Sequence, residues 1–476
     1  MSGGAERRYT GERIPLDGKD RTGTVSMSTI EELLASVERA RDEIVGLHQA
    51  LVRTPTINVG PRPDTGNETA ACELVASKLA EAGIQPEIIE SAPGRGNLIA
   101  RLPGEGRRLL FMSHTDVVPV EDETLWEHPP FSGTIDRGRV YGRGADDDKG
   151  DVVAHCMALV LLQRAGARLG GELVLLAAAD EESGGRWGAG WIAEHHPDKV
   201  RADFAINEGG SSPIQTPRGL IYPICTGEKG WLEARLTKKG RSGHASRPWA
   251  ADNPVPAMAE AVQRIMAYDP EIDVSHPFFR EVLEALGVEH APNAENIDRI
   301  CDGLTDRPAL ATTLKAASRM TITPTMVEAG VKSNSIPDRI HLTCDVRGLP
   351  GQDDRYVREE LEHITQGLDL EIEVDYTAVS NDSPADSSFV DLCRQSLGLA
   401  LGHQEFRLAP AITVGFTDSR FLRPLGTQVY GFAPHHPNAE PARTGVHGNN
   451  EFMEIDSLLL RTRNAVALAC LTLGVA

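Results

Sequence analysis

The motif Ser113-His114-Thr115-Asp116 directly follows an apolar run at residues 108–112. An imidazole at such a place can bind a metal, and a carboxylate two residues on can hold its second ring nitrogen. Taken alone, a histidine that caps a strand is the simpler reading. In Gly142-Arg143-Gly144-Ala145-Asp146-Asp147-Asp148-Lys149-Gly150, three consecutive carboxylates repel one another unless a cation sits among them. A solvated acidic loop or an acidic helix N-terminus is the simpler alternative. So much negative charge argues against reading the glycines as a phosphate cradle. In Ala179-Asp180-Glu181-Glu182-Ser183-Gly184, one glutamate can bind metal while the other takes a proton from water, although a polar turn would look the same. Asn207-Glu208-Gly209-Gly210 repeats the arrangement, and Val446-His447-Gly448-Asn449-Asn450-Glu451 lies near the C-terminus.

Each motif is weak by itself, and the set is not. His114, Asp147, the Glu181–Glu182 pair and Glu208 fall at what read as four consecutive strand ends, about one βα unit apart. They should therefore converge on one edge of one sheet, where open α/β sheets bind ligands. His447 completes a set of two histidines and three carboxylates. Nitrogen and oxygen donors of this kind suit Zn2+, with Co2+ or Mn2+ as substitutes. Five protein ligands exceed what one catalytic zinc uses, and fit two metals about 3.5–4 Å apart that share one carboxylate.

The elements that must carry these groups alternate. A helical stripe starts at Met27 and includes Ile30, Leu33, Leu34, Val37, Ile44, Leu47 and Leu51; a second helix covers 70–82. Strands are expected at 86–90, 97–101, 108–112, 172–179 and 203–207, with a helix at 151–164. That alternation predicts an α/β domain with a largely parallel sheet. After Cys225 the character changes: strands at 230–239, 339–347 and 371–376 and helices at 254–268 and 353–366 describe an inserted α+β unit. The segment 269–312 has weak periodicity. The expected division is a flexible tail at 1–26, a discontinuous catalytic domain at 27–227 and 379–476, and an inserted lid or dimerisation domain at 228–378.

Composition narrows the partners. The chain has 476 residues and a net charge of −21, so a phosphate backbone is repelled on average and nucleic acid is not expected. No apolar run is long enough to span a membrane, and residues 1–19 lack a signal-peptide core, so a cytoplasmic protein is expected. Seven cysteines, at 72, 156, 225, 301, 344, 393 and 470, form no Cys-x-x-Cys pair and read as buried thiols. Metal ligands must then be histidines and carboxylates. No Gly-x-Ser-x-Gly elbow points to a serine hydrolase.

With these motifs together, the chain resembles the dinuclear zinc family of succinyl-diaminopimelate desuccinylase, acetylornithine deacetylase, the aminoacylases and the glutamate carboxypeptidases. The resemblance runs from about residue 30 to the end. It rests on His114-Thr-Asp-Val-Val-Pro119, Trp126 with Pro130-Phe131, Tyr141-Gly-Arg-Gly144 followed by Asp147-Asp-Lys-Gly150, and Asp180-Glu-Glu-Ser-Gly184. It continues in Gly243-His-Ala-Ser-Arg-Pro248, Asn334-Ser-Ile-Pro337, Asp345-Val-Arg347 and Thr417-Asp-Ser-Arg420. Relatives often carry Ser-Ser where this chain has Ala245-Ser246, a departure without evident chemical consequence. The C-terminal motifs are most similar to the branch with the glycine-X carboxypeptidases and fatty-acyl amino acid hydrolases, whose longer insert would account for 269–312.

The resemblance implies that Asp147 bridges two zinc ions. His114 and Glu208 would complete one set, and Glu182 and His447 the other. Asp116 would orient His114, Asp146 and Asp148 would stay outside the ligand sets, and a cis peptide would follow Asp147. Glu181 would be the general base, and His244 the oxyanion donor, supplied by the partner subunit of a homodimer formed through the inserted domain. Arg347, with Asn334 nearby, would hold the free carboxylate of a small amide or peptide substrate. His435 and His436 read as a surface turn, with a substrate contact as the alternative. The implied reaction is hydrolysis of an amide bond next to a carboxylate. The same metal pair could serve another amide or a deaminating hydrolysis, or the chain could be an inactive binding homologue; the full ligand set speaks against the last.

Overall fold

The computed structural model describes residues 27–475, apart from 61, 63, 211 and 440–443; the expected tail at 1–26 lies outside the described residues. The fold is mixed α/β. Its main sheet runs, in spatial order, Glu87–Glu90, Gly96–Leu102, Glu172–Ala178, Arg108–His114, Phe204–Asn207, Gln428–Gly431, Gly219–Glu228 and Asn381–Asp382. Phe406–Thr413 also pairs with Gly219–Glu228, in parallel. The four strands from Glu172–Ala178 to Gln428–Gly431 are parallel neighbours. The first two strands break the expected pattern. Only residues 91–95 separate them, too few for a crossover, so they form an antiparallel hairpin.

Parallel strands must be covered on both faces, and their side chains divide accordingly. Leu109, Phe111, Leu173 and Leu175 join the core under helices Lys149–Arg164, Ser388–Leu401 and Ile455–Leu473. Leu110, Met112, Val174 and Leu176 face the opposite core, which holds helix Ala189–His195. The stripe from Met27 becomes two helices, Met27–Arg39 and Arg41–Val52.

A second, small sheet has the order Thr321–Ala329, Arg339–Gly348, Gly230–Lys239 and Glu371–Ala378, all antiparallel. Its buried face packs against helices Val255–Met266 and Asp354–Ile364 around Leu232, Leu342, Val346, Met258 and Leu361. The edge strand Thr321–Ala329 contains Pro324 and is mostly exposed, as an edge permits. The segment with weak periodicity forms helices Pro277–Ala285, Ile297–Gly303 and Pro308–Ala317. These pack through Phe278, Phe279, Val282 and Leu314 on Ile221, Ala409 and Ala411 of the main sheet. All seven cysteines are buried free thiols. No helix among the described residues is long and apolar enough to cross a membrane.

Candidate metal centre

Three neighbouring parallel strands end together. His114 closes Arg108–His114, Glu181 and Glu182 form the turn after Glu172–Ala178, and Glu208 follows Phe204–Asn207. Asp147 arrives differently from the sequence expectation of a fourth strand end in that sheet. It precedes helix Lys149–Arg164 and follows the hairpin Thr134–Asp136 and Arg139–Tyr141, which forms a three-stranded sheet of its own with Phe452–Glu454. That pairing brings the His447 segment beside the Asp147 loop: Gly142 N–H donates to Glu451 O at 2.8 Å. The peptide Asp147–Asp148 is cis.

Asp147 faces two groups at once. Its Oδ1 lies 3.0 Å from His114 Nε2, which is 3.7 Å from Glu208 Oε1. Its Oδ2 lies 3.2 Å from His447 Nε2, which is 3.1 Å from Glu182 Oε2. In each trio, His114–Asp147–Glu208 and Asp147–Glu182–His447, the candidate ligand atoms lie within 4.8 Å of one another.

The electrostatics fit a divalent cation. Burial and the Asp147 charge push Glu182 up to about 7. Burial and the Glu208 charge lift Glu181 well above the carboxylate range, and burial raises Glu208 as well. Burial works to raise Asp147 too, but hydrogen bonds with His114 and His447 win and hold it below the usual range. Hydrogen bonds to Asp147 and Glu182 push His447 up to about 10. Carboxylates that oppose one another's ionisation so closely are relieved by a metal charge. Glu182 also keeps a buried Oε1 without a hydrogen-bond partner among the described residues.

A buried shell fixes these groups. Asp116 lies beside His114, with Nδ1 of the imidazole 3.1 Å from Asp116 O and 3.3 Å from Asp116 Oδ1. The same carboxylate accepts the backbone N–H groups of Glu181 and Glu182, both at 3.1 Å. Asn58 Nδ2 donates to Asp116 and Asp180, and Arg95 pairs with Asp180 and Glu68, each at 2.8 Å. Asp148 accepts from His114 N–H at 3.0 Å. Glu451 gathers the Asp147 loop: it accepts from Arg143 Nη1 at 2.6 Å and from the N–H groups of Gly144, Asp146 and Asp147 at 3.0–3.2 Å.

Sequence reading missed Asn58, Glu68, Arg95 and Arg461, and gave Glu451 no role, because their partners are remote in the chain. His435 corrects the surface-turn expectation. It is buried, 3.2 Å from Asp146, and Arg461 Nη2 lies 2.7 Å from the same carboxylate. An arginine within the apolar run at 455–473 and an aspartate next to Asp147 were the available signal.

Three nominated residues stand apart from this cluster. His244 is exposed, and its ring bonds only with Ser246 among the described residues. Exposed Asn334 is tied to the same loop, its carbonyl accepting from Ala245 N–H at 3.0 Å. Arg347 is held bidentately by Asp345 at 2.9 and 3.1 Å and lies over the Trp231 ring.

A family model described as peptidase family M20/M25/M40 matches residues 110–470. The chain belongs to this family. Among its M20 relatives is a succinyl-diaminopimelate desuccinylase from Halorhodospira halophila, 36% identical over 208 residues, 43% of this chain and 54% of that one. The chain spans only 54–64% of the length of the first desuccinylases it matches. Aminoacylase-1B of Rattus norvegicus is 28% identical over 444 residues, 89% of this chain and 95% of that one. An M20 family metallo-carboxypeptidase from Sulfolobus solfataricus matches in structure with a TM-score of 0.65 and 21% identity, over 90% of this chain and 99% of that one. At that identity the likeness shows the M20 fold.

Proposed function

We propose that this M20 chain is a metal-dependent amidohydrolase. Its substrate carries a free carboxylate next to the scissile amide, as in a dipeptide, a C-terminal residue or an N-acyl amino acid. The observation that carries this reading is Asp147, whose two oxygens address two different pairs of histidine and glutamate. His114, Asp147 and Glu208 would hold one metal, and Asp147, Glu182 and His447 the other. Zn2+ is the first choice, with Co2+ or Mn2+ as substitutes. Bound there, such a pair supplies Lewis acidity and an acidified water.

The chain's own residues do the rest. Glu181 is buried next to Glu182 and takes the proton from the attacking water, then hands it to the leaving amine. Asp116 fixes the His114 ring and, through two backbone N–H groups, the turn that carries Glu181. Residues 228–378 act as a lid and as the interface of a homodimer. The exposed His244, whose ring bonds only with Ser246 among the described residues, supports a role as oxyanion donor to the partner's site. Arg347 would hold the substrate carboxylate, which requires it to release or share Asp345, and Asn334 would contribute from the His244 loop. The enzyme would work in the cytoplasm on a small molecule, without nucleic acid or membrane.

Free-amine release from a panel of dipeptides and N-acyl amino acids tests this, measured before chelation, after it and after zinc restoration. Activity that vanishes with the metal and returns with zinc is the expected result. A metal-loaded protein inactive on the whole panel would sink the reading.

A further inference from the structure

One short stretch, residues 416–420, contacts Trp231, the end of strand Gly219–Glu228 and two turns of the candidate metal centre. Its first residue, Phe416, stacks on Trp231 with ring centroids 5.1 Å apart and planes 12° from parallel. Trp231 belongs to Gly230–Lys239, the first strand of the small sheet, and the Arg347 guanidinium lies 4.9 Å from its ring. On the main-sheet side, the Arg420 guanidinium lies 4.3 Å from the Phe416 ring. Arg347, Trp231, Phe416 and Arg420 thus form a cation and aromatic stack that runs from the small sheet to the short helix Ser419–Leu422.

The next residue grips both chain crossings. The Thr417 hydroxyl donates to Glu228, the buried last residue of strand Gly219–Glu228. Glu228 also accepts from Asn381 Nδ2 at 3.3 Å and lies 3.6 Å from Arg423 Nη1. Asn381 pairs with Glu228 on the strand where the chain returns from the small sheet.

The same stretch also reaches two metal-ligand turns. Asn207 Nδ2 donates to Thr417 Oγ1 at 3.0 Å and to Ser419 Oγ at 3.1 Å, and Asn207 immediately precedes Glu208. Arg420 Nη2 donates to Gly184 O at 2.7 Å, and Gly184 closes the turn that carries Glu181 and Glu182. Asn207, Thr417, Ser419 and Glu228 are all buried, so none of these groups can exchange its partner for bulk water without opening the structure. Buried directional bonds of this kind orient ligands as well as stabilising the fold.

We propose that residues 416–420 form a positioning element, which passes the pose of the small sheet to the turns bearing Glu208 and Glu182. The inference rests on reading those glutamates, with His114, Asp147 and His447, as metal ligands. Thr417 and Ser419 set the Glu208 turn, Arg420 sets the Glu182 turn, and Phe416 supplies the link to Trp231. Among the described residues, none of the four hydrogen-bonds to a candidate ligand atom.

The test is a cobalt titration of the full chain followed by visible absorption, with thermal unfolding measured alongside. Thr417→Val should weaken cobalt binding by about 10–100-fold and shift the absorption band. Thr417→Ser should restore both. Phe416→Ala should weaken binding less, and Phe416→Tyr, which keeps the stack, should restore it. Ser419→Ala removes one acceptor from Asn207 and leaves the Glu228 contact, so it decides the matter if Thr417→Val does not fold. A lower unfolding temperature with an unchanged cobalt titration would mean that the stretch only packs, and would overturn the inference. An unaltered protein that binds two cobalt ions but hydrolyses nothing on the panel would overturn the proposed activity alone. One that binds no cobalt would overturn both.

Discussion

Strand Glu172–Ala178 of the main sheet is buried at all but its first residue, whereas Arg339–Gly348 of the small sheet alternates buried with exposed or half-exposed positions along its length. The first pattern belongs to a parallel sheet covered on both faces, and the second to an antiparallel sheet packed on one. The consequence for chemistry is direct. Parallel neighbours all end at the same edge, so their C-terminal turns can pool His114, Glu182 and Glu208 in one place. The small sheet offers no such convergence. Its candidate Arg347, like His244 and Asn334 on the adjoining short strand pair and its loop, bonds among the described residues with near neighbours and not with the trios around Asp147. The main sheet therefore brings its candidate donors together within the fold, whereas His244, Asn334 and Arg347 stand apart from them.

The sharpest way to break this contrast is Asp147→Ala. It removes the one residue common to both trios, so metal content by atomic emission should fall from two ions to none. Activity should drop by more than the loss of a general base alone would cause. Retention of one tightly held metal would show that the trios are not joined through Asp147. Next in size is Glu181→Gln. The protein should keep both metals and lose about 10²–10⁴-fold in turnover number. Retained turnover would remove Glu181 from its proposed role.

A pair of core truncations compares the two sheets energetically. Leu175→Ala and Leu342→Ala each delete a fully buried side chain, one from each core. Each should cost about 2–5 kcal/mol in denaturant unfolding. Leu342→Ala should leave the metal affinity of the folded protein unchanged, while Leu175→Ala, three residues before the strand's end, should weaken it. Equal weakening by both would erase the distinction drawn here.

The smallest effect concerns how the helices over the main sheet are tied together. Glu43 accepts from Arg164 at 2.7 and 2.8 Å and from Lys78 at 3.1 Å, and those contacts lower its carboxyl from 4.5 to about 2. A depressed folded pKa adds stability that is present above pH 4.5 and disappears as pH falls through about 2. Glu43→Gln should cost about 0.5–1 kcal/mol at pH 7, since the group is partly solvated, and the difference from the unaltered chain should shrink below pH 4.5 and close as pH falls past about 2. A constant difference across that range would assign the cost to packing.

Much of the fold could be read from pattern. The strand at 230–239 and the helix at 151–164 follow from periodicity, because side chains that must face a core repeat with the backbone's own period. Helices Pro277–Ala285 and Pro308–Ala317 could be suspected only as a weakly patterned segment, and nothing local announces that they cover the main sheet and leave the small one. The site divides in the same way. Residue type and order nominated His114, Asp147, Glu181, Glu182, Glu208 and His447, since few side chains can hold a hard cation. Periodicity could not say that Asp147 sits outside the main sheet, that Glu451 anchors its loop, or that His435 is buried against Asp146.

By itself, then, the sequence determined the chemical inventory: which nitrogen and oxygen donors exist, their order, and the alternation of strands and helices that carries them. The tertiary structure decided which of them meet. Pairing of Phe452–Glu454 with Arg139–Tyr141 sets His447 beside Asp147 across some three hundred residues of chain. Remote packing likewise buried His435 against Asp146. The reason is physical. Donor type is a property of one residue, whereas a contact between distant residues depends on sheet register and loop closure, which the whole chain fixes together.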